Sequence, residues 1–527
     1  MRAGMQLECR TEIFYFCDDE GPEYATLSHR WIGDTEVSYD EMVDLVNMEK
    51  GKRDEIRGRA GYKKILDTCQ QAQKDGYEWV WVDTCCIDKR SSAELSEAIN
   101  SMYRWYENAR TCYAYLHDVD GSSFPTEKDD EKYPDSNGWP KWFSRGWTLQ
   151  EMIAPGDVQF FDQNWQHIGD KETLAWTLTE ITGVPVHILT DGLHGNRPCV
   201  AQIMSWAANR TTTRVEDRAY SLMGLLDVNM PMLYGEGKKA FHRLQLEIIR
   251  SSNDQSVFAW GWNSRTVRIG SIFADDPSFF RDCSGIELVD HDRFTGWSTM
   301  DFPKLRSMDA NQFSVFANTN RGIQIWMLLC AYRESKSVFR AYLPCLSRGS
   351  LVSIDLVLWN SDHYRYSNVW QTADRNSAEF RQVDLRYQDT SNYAVTFDVD
   401  DSGITDNGFT CSNEVPAERA GSLFTLTNAD PFCVKTYSAQ QGDSCFIAVC
   451  ENNVNSQIFA SRVVSCAQIG SVVNESARSV GNELMVISAA LLSTPDGPSD
   501  GATTRKVLQN AFYNNPTPRL QHCRRSR

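Results

Sequence analysis

No stretch of the 527-residue sequence reaches the roughly 18 unbroken apolar residues that a membrane-crossing helix needs, so no membrane span is expected. No Cys-x-x-Cys pair occurs among its 16 cysteines. Several cysteines lie inside apolar runs, such as Cys330 in IWMLLCAY and Cys445 and Cys450 in CFIAVC. Such thiols read as reduced core residues rather than a disulfide framework. His-Glu-x-x-His is absent and histidine is scarce, at nine residues, so no metal site is expected. Gly-x-Ser-x-Gly is missing too, which removes the nucleophile-elbow hydrolases. Basic residues are outnumbered, 53 against 70, for a formal charge of −17. A surface that acidic repels phosphate backbones and argues against a nucleic-acid partner. The opening MRAGMQLECRTEIF has no secretory apolar core. Together these features lead to the expectation of an intracellular, cytoplasmic protein.

What is present falls into two textures. Up to about residue 260, strand-like and helix-like segments alternate. YATLSHRW (24–31) has strand composition, and GYKKILDTCQQAQKDG (61–76) has helical spacing. YEWVWVDTCCID (77–88) reads as a buried central strand. SSAELSEAINSMYRWYENA (91–109) reads as a helix capped by Ser91 or Ser92, and TCYAYLHDV (111–119) as another strand. A strand and turn over 157–169 and a helix over 171–183 complete the series. This order predicts an α/β domain with a mostly parallel sheet and helices on both faces, with a core over 20–185 and a helical extension over 198–252. From about 265 to 490, short alternating runs separated by Gly, Ser, Asn and Asp predict a β-rich antiparallel C-terminal domain. Residues 491–527 read as a loose tail.

In parallel sheets, ligands sit beyond the carboxyl ends of the strands. That rule directs attention to the ends near Ser28, Asp83 and Asp118. WVDTCCID places Asp83 and Asp88 at and just past one strand end, suited either to a hydroxyl or partner loop or to capping nearby backbone. Cys85 and Cys86 would point to opposite strand faces, as core thiols do. GEGKKA (235–240) matches Gly-x-Gly-x-x-Ala but follows no convincing strand, so it reads as a turn into a helix. FSRGWTLQEMIAP (143–155) is the strongest local signal. If it is helical, Trp147 and Glu151 are i and i+4 and share a face. A glutamate beside an indole would be desolvated and suited to acid–base work or to stabilising a developing cation. Alternatively, Arg145 pairs with it and holds it ionised, which would make the segment structural.

YATLSHRW, WVDTCCIDKRSSAE and RGWTLQE occur in this order, with RAYSLMGLLDVNMPMLYGEG further on. Together they resemble the fungal heterokaryon incompatibility (HET) domain family over roughly residues 20–250. The family pattern is Tyr-x-x-Leu-Ser-x-x-Trp, then Trp-Val/Ile-Asp-x-x-Cys-Ile-Asp/Asn, then Arg-x-Trp-Thr-x-Gln-Glu. Two departures stand out: Gly33 is displaced by one position, and Lys89 stands where Gln is usual. The resemblance implies an effector or regulator of programmed cell death in non-self recognition. It also implies a distant similarity to TIR domains, visible in TLSHRWIGDTE and SRGWTLQEM.

Carried over from NAD-cleaving TIR domains, the catalytic glutamate falls on Glu151, with Glu94 as the alternative acid. Ser28, Trp31, Asp83, Asp88, Arg145 and Trp147 would then hold NAD, which would be a substrate and not a resident cofactor. The implied partners are further copies of the chain or an upstream signalling protein. The rival reading is a non-catalytic signalling module in which the motifs maintain fold and partner surface.

Overall fold

The computed structural model describes residues 22–262 apart from 194 and 196. Beyond these it describes 268–290, 292–294, 296, 302, 315–332, 335–359, 362–367 and 373–387, then strand segments between 395 and 466. The tail expected over 491–527 lies outside the described residues. Two compact units are present. One comprises Met1–Ser264, Ile272–Ile354 and Thr372–Asp384, and the other Arg265–Ser271, Asp355–Gln371 and Leu385–Arg527.

The first unit is built on a five-stranded sheet with strand order β2-β1-β3-β4-β5. Its strands are β1 (Tyr24–His29), β2 (Trp79–Val82), β3 (Thr111–Tyr115), β4 (Val158–Phe161) and β5 (His167–Asp170). β1 runs parallel to both β2 and β3, and β3 parallel to β4. β5 turns back antiparallel on β4, so the sheet is mixed. β2 was expected to be central. It is instead an edge, with Trp79–Trp81 only half-buried. The strand stops at Val82, and Cys85 and Cys86 sit in the turn that follows rather than on opposite strand faces. In that turn the Cys86 N–H donates to the Val82 carbonyl at 2.9 Å.

The central strand is β1, and all six of its residues are buried. That burial suits Ala25 and Leu27 but also takes Thr26, Ser28 and His29 out of water. Successive side chains alternate between the two faces. On one face, helices α1 (Tyr39–Asp44), α2 (Lys50–Gly58) and α3 (Ala60–Lys74) contribute Met42, Ile56, Tyr62 and Ile65 to a cluster around Leu27 and Val82. On the other lie α4 (Ser92–Glu107) and α5 (Thr148–Ile153). Ser91 caps α4 by accepting from the Glu94 N–H at 3.2 Å, and Ala98, Ile99, Met102 and Tyr106 form its buried stripe. The Tyr106 hydroxyl donates to the Leu27 carbonyl at 3.1 Å, fixing α4 to β1.

All six residues of α5 are buried. The turn before it is tied down from several sides. Thr148 Oγ1 donates to the Trp142 carbonyl at 2.6 Å. Buried Arg210 donates to the Arg145 carbonyl at 2.9 Å and to Thr148 Oγ1 at 3.0 Å. The Gly146 N–H meets the Thr211 carbonyl at 2.8 Å. A Cβ on Gly146 would lie 2.5 Å from Thr212 Cγ2, so only glycine allows this approach.

After the sheet come α6 (Ala175–Thr182) and α7 (Val186–Asp191), then, within the stretch 198–252 expected to be helical, α8 (Val200–Ala207), α9 (Asp217–Tyr220), α10 (Met223–Leu226) and α11 (Lys239–Ser251). Glu216 accepts the Gly235 and Gly237 N–H groups at 2.8 and 2.9 Å, making GEGKKA a braced turn into α11.

The later strands are β6 (Arg268–Gly270), β7 (Ile286–Leu288), β8 (Ala317–Thr319), β9 (Gly322–Tyr332), β10 (Ser335–Ser347), β11 (Ser350–Trp359), β12 (Asp362–Ser367) and β13 (Glu379–Leu385). Then come β14 (Val395–Asp398), β15 (Phe409–Val415), β16 (Leu423–Leu426), β17 (Phe432–Ala439), β18 (Cys445–Asn453) and β19 (Ile458–Cys466). In the first unit, β10 pairs antiparallel with β7 and β9, and β8 with β9. Leu328, Cys330, Leu346 and Leu351 form a core there with Val289, Phe294 and Phe302. In the second unit, β15, β17, β18 and β19 form a four-stranded antiparallel sheet. Within each unit these strands pair antiparallel, in keeping with the β-rich texture expected after residue 265.

Candidate functional site at the carboxyl end of the central strand

The order 2-1-3-4-5 makes the chain change direction across the sheet at β1, between β2 on one side and β3 on the other. Open α/β sheets bind ligands at such a switch point, outside the carboxyl ends of the strands. In the β1–β2 register Leu27 faces Val82, so Ser28, His29 and Asp83 end side by side.

Ser28 points to the α5 side. Its hydroxyl donates to Glu151 Oε2 at 2.5 Å and accepts the Trp142 indole N–H at 2.8 Å. All three residues are buried, with Glu151 4 % exposed. Burial pushes the Glu151 carboxyl up to about 8, and the nearby Asp83 charge adds to the rise. The Ser28 hydrogen bond and the Arg145 and Arg210 guanidinium groups oppose it without reversing it. Arg210 is itself pushed down to about 9 by burial, against the pull of Glu151. Among the described residues, Glu151 has no ion pair with Arg145. Arg145 acts from a longer distance, and the closed Arg–Glu pair left open by the sequence does not form. A carboxyl that stays mainly protonated at neutral pH and titrates just above it can give or take a proton or, once ionised, face a developing cation.

Asp83 sits beside this group, part-buried. Its Oδ2 accepts the Trp31 indole N–H at 2.9 Å, and burial raises its pKa against the pull of Lys89. The Lys89 ammonium lies 3.7 Å from the centre of the Trp31 ring, a cation–π contact.

Of the residues singled out in the sequence, Ser28, Asp83, Glu151 and Trp31 are brought together, with Arg145 close enough to act on the group. Three others are engaged elsewhere. Glu94 accepts the Asp88 backbone N–H at 3.0 Å at the start of α4. Asp88 is gripped by Arg90 through two hydrogen bonds, at 2.9 and 2.8 Å. The Trp147 indole hydrogen-bonds Asp217, which also accepts the Tyr234 hydroxyl at 3.0 Å. The indole expected to share a face with Glu151 is therefore replaced in the site by Trp142, five residues earlier.

Sequence reading also missed Glu36, Lys64 and Arg210. Lys64 carried a usable signal. It falls on the α3 stripe of Gly61, Ile65, Thr68 and Ala72, and a lysine on a buried stripe needs a partner. That partner is Glu36 Oε1, at 2.6 Å.

Residues 24–140 match the family described as heterokaryon incompatibility protein (HET). Residues 239–270 match a domain of unknown function, DUF8212. The chain is 46% identical over 233 residues to the vegetative incompatibility protein HET-E-1 of Podospora anserina. That match covers 43% of this chain, and the chain spans only 16% of the relative's length. No solved structure matches the chain. Among the described residues, no helix is long and apolar enough to cross a membrane. The three motifs gather around one strand end, and the matched residues 24–140 carry β1, β2 and β3 of that same sheet, so over this region the chain is similar to heterokaryon incompatibility proteins.

Proposed function

We propose that this HET domain is a TIR-like effector of cell death in non-self recognition, acting by cleavage of NAD at Glu151. The observation that carries the proposal is the Ser28–Glu151–Trp142 group at the switch point, with a carboxyl pushed up to about 8. The flavodoxin-like order of the first four strands supports the TIR-like reading. In the reaction, the bond between nicotinamide and ribose breaks and its electron pair leaves with the nicotinamide. Water adds to the sugar carbon and a proton is released. Positive charge builds on the ribose in between, and Glu151, which ionises once the opened site admits water, stabilises it. Ser28 orients the carboxylate and Trp142 fixes the Ser28 hydroxyl.

Glu151 is closed off in the single chain, so the proposal places activation in a rearrangement that opens α5. Self-association or an upstream signalling partner in the cytoplasm would drive it. The burial of every α5 residue also favours a second reading, in which the group is a structural clasp behind a partner surface.

The test is nicotinamide release from NAD by the full chain under assembling conditions, comparing wild type with Glu151→Gln and with a Glu131→Gln control at an exposed position. The hydrolase reading expects release by wild type and Glu131→Gln and loss of at least about a hundredfold in Glu151→Gln, the scale of a positioned acid–base group. Release unchanged in Glu151→Gln, or absent throughout, leaves the structural reading.

A further inference from the structure

The turn that leads into α5 is held by a strap from outside the sheet. Between α8 and α9 the chain runs through Asn209, Arg210, Thr211, Thr212, Thr213 and Arg214, a stretch without one apolar residue. Thr211 forms an isolated parallel bridge with Arg145. Its N–H donates to the Ser144 carbonyl at 2.6 Å, and its carbonyl accepts the Gly146 N–H at 2.8 Å. Arg210 is 3 % exposed and reaches inward to the Arg145 carbonyl and Thr148 Oγ1. On the outer side Thr213, Arg214 and Val215 are exposed.

The balance of forces on this strap is small. With no apolar residue of its own, it is held by hydrogen bonds, and each is worth little net when water competes for it. Against them stands the burial of a guanidinium that, among the described residues, has no carboxylate in ion-pair contact. A buried charge without a counter-charge is expensive. Two buried polar atoms at this joint also lack a partner, Arg210 Nη2 and Gln150 Nε2. Water would satisfy both if the joint opened. The helix adds little hold of its own. Six residues are too few for a self-supporting helix, and no side chain caps its start at Trp147. Leu149, Met152 and Ile153, all fully buried, keep α5 seated. What the strap governs is the closure of its first turn, which carries Glu151.

We propose that the strap over 209–214 is an autoinhibitory contact. While Arg210 and Thr211 grip residues 144–148, the first turn of α5 stays closed over Glu151. Lifting the strap at its exposed outer side opens that turn to solvent. Only the consequence of opening, access of substrate to Glu151, rests on the hydrolase reading; the opening itself is observable without NAD.

Hydrogen exchange of the full chain, followed by mass spectrometry, reads the opening in residues 144–153, with β3 as an internal reference. Thr211→Pro removes the N–H that meets Ser144, and Arg210→Met removes the guanidinium while keeping an unbranched side chain. Each should speed exchange in 144–153 about tenfold, the effect of one hydrogen bond, and leave β3 unchanged. Equal acceleration in both segments would overturn the proposal, because the contact would then be part of the global fold. Unchanged exchange in 144–153 would overturn it too. If a variant fails to fold, a chain carrying both Arg145→Cys and Thr211→Cys decides, since partners in a bridge lie within disulfide reach. Its oxidised form should exchange several-fold more slowly in 144–153 than its reduced form, and equal rates rule out the strap. Nicotinamide release from the same samples separates the two readings. Faster exchange with release supports both, whereas faster exchange without release supports the strap and sinks cleavage at Glu151.

Discussion

The two faces of β1 end in opposite conditions. On the α5 side, Ser28 gives and receives a hydrogen bond, and Glu151 and Trp142 are satisfied through it. On the α3 side, one residue later, His29 is equally buried and wholly unpartnered. The same strand, with the alternation every strand has, delivers a closed group to one layer and an open group to the other. A satisfied buried network holds a fold together, while an unsatisfied one is a standing cost to it.

The largest expected difference between the two faces is in their response to pH, and the signs are opposite. Glu151 has a folded value of about 8 against an ordinary value of 4.5. The folded state therefore holds more protons between those values, and stability falls as pH rises from about 4.5 to about 8, then levels. The ceiling of that loss is about 5 kcal/mol, at 1.36 kcal/mol for each pH unit. His29 is held well below its ordinary value of 6.5, chiefly by burial. There the unfolded state holds more protons, so stability is lost as pH falls below 6.5. Urea denaturation across pH 4 to 9 should show both limbs. Glu151→Gln should flatten the alkaline limb and leave the acid limb in place. An alkaline limb unchanged in Glu151→Gln would mean that Glu151 is ionised in the fold.

Next in size is Trp142→Ala. The side chain is fully buried against Phe143 and Phe160 and also donates to Ser28. Removing it should cost about 4 kcal/mol, the range for deleting a large aromatic from a core. A loss below about 1 kcal/mol in urea denaturation would mean that the closed face is not closed.

These residues also show how far the sequence could be read. The alternating segments were legible because β1, α3, α4 and β3 carry strong periodicity and a serine cap. The positions of Ser28, Asp83 and Glu151 followed from strand ends and from the third motif. What the sequence hid was pairing. YEWVWVDTCC looks like a central strand because its tryptophans are apolar, but Trp81 packs against Trp105 and Tyr106 of one helix while the strand itself lies at the sheet edge. KWFSRGW holds two tryptophans five apart, and nothing local says which one turns inward. Tertiary contacts decided it: Asp217 took Trp147, and Ser28 took Trp142. Glu36 looked unremarkable because its bond to Lys64 exists only after α3 packs on β1.

Gly146→Ala probes the closed face from behind. A Cβ there would meet Thr212 Cγ2 at 2.5 Å and Ser221 Oγ at 3.2 Å, pushing the turn that carries α5. The expected cost is about 2 kcal/mol, typical of overpacking. Thermal unfolding reads it, and a neutral result would show that the α5 turn has room to move.

The smallest effect is expected at the rim of the open face. Trp31 is 38 % exposed, and its contacts are one hydrogen bond to Asp83 and the ammonium of Lys89 above its ring. Both contacts lie at the surface, where water replaces what is lost. Trp31→Ala should therefore change stability by less than about 0.5 kcal/mol, the range for surface substitutions. The comparison sharpens here, because Trp142 and Trp31 donate the same indole N–H to neighbouring residues of one site. If they differ as expected, burial and not the hydrogen bond sets the cost. A loss of 2 kcal/mol or more at Trp31 would instead make the rim a structural pin and the α3 face as closed as the other.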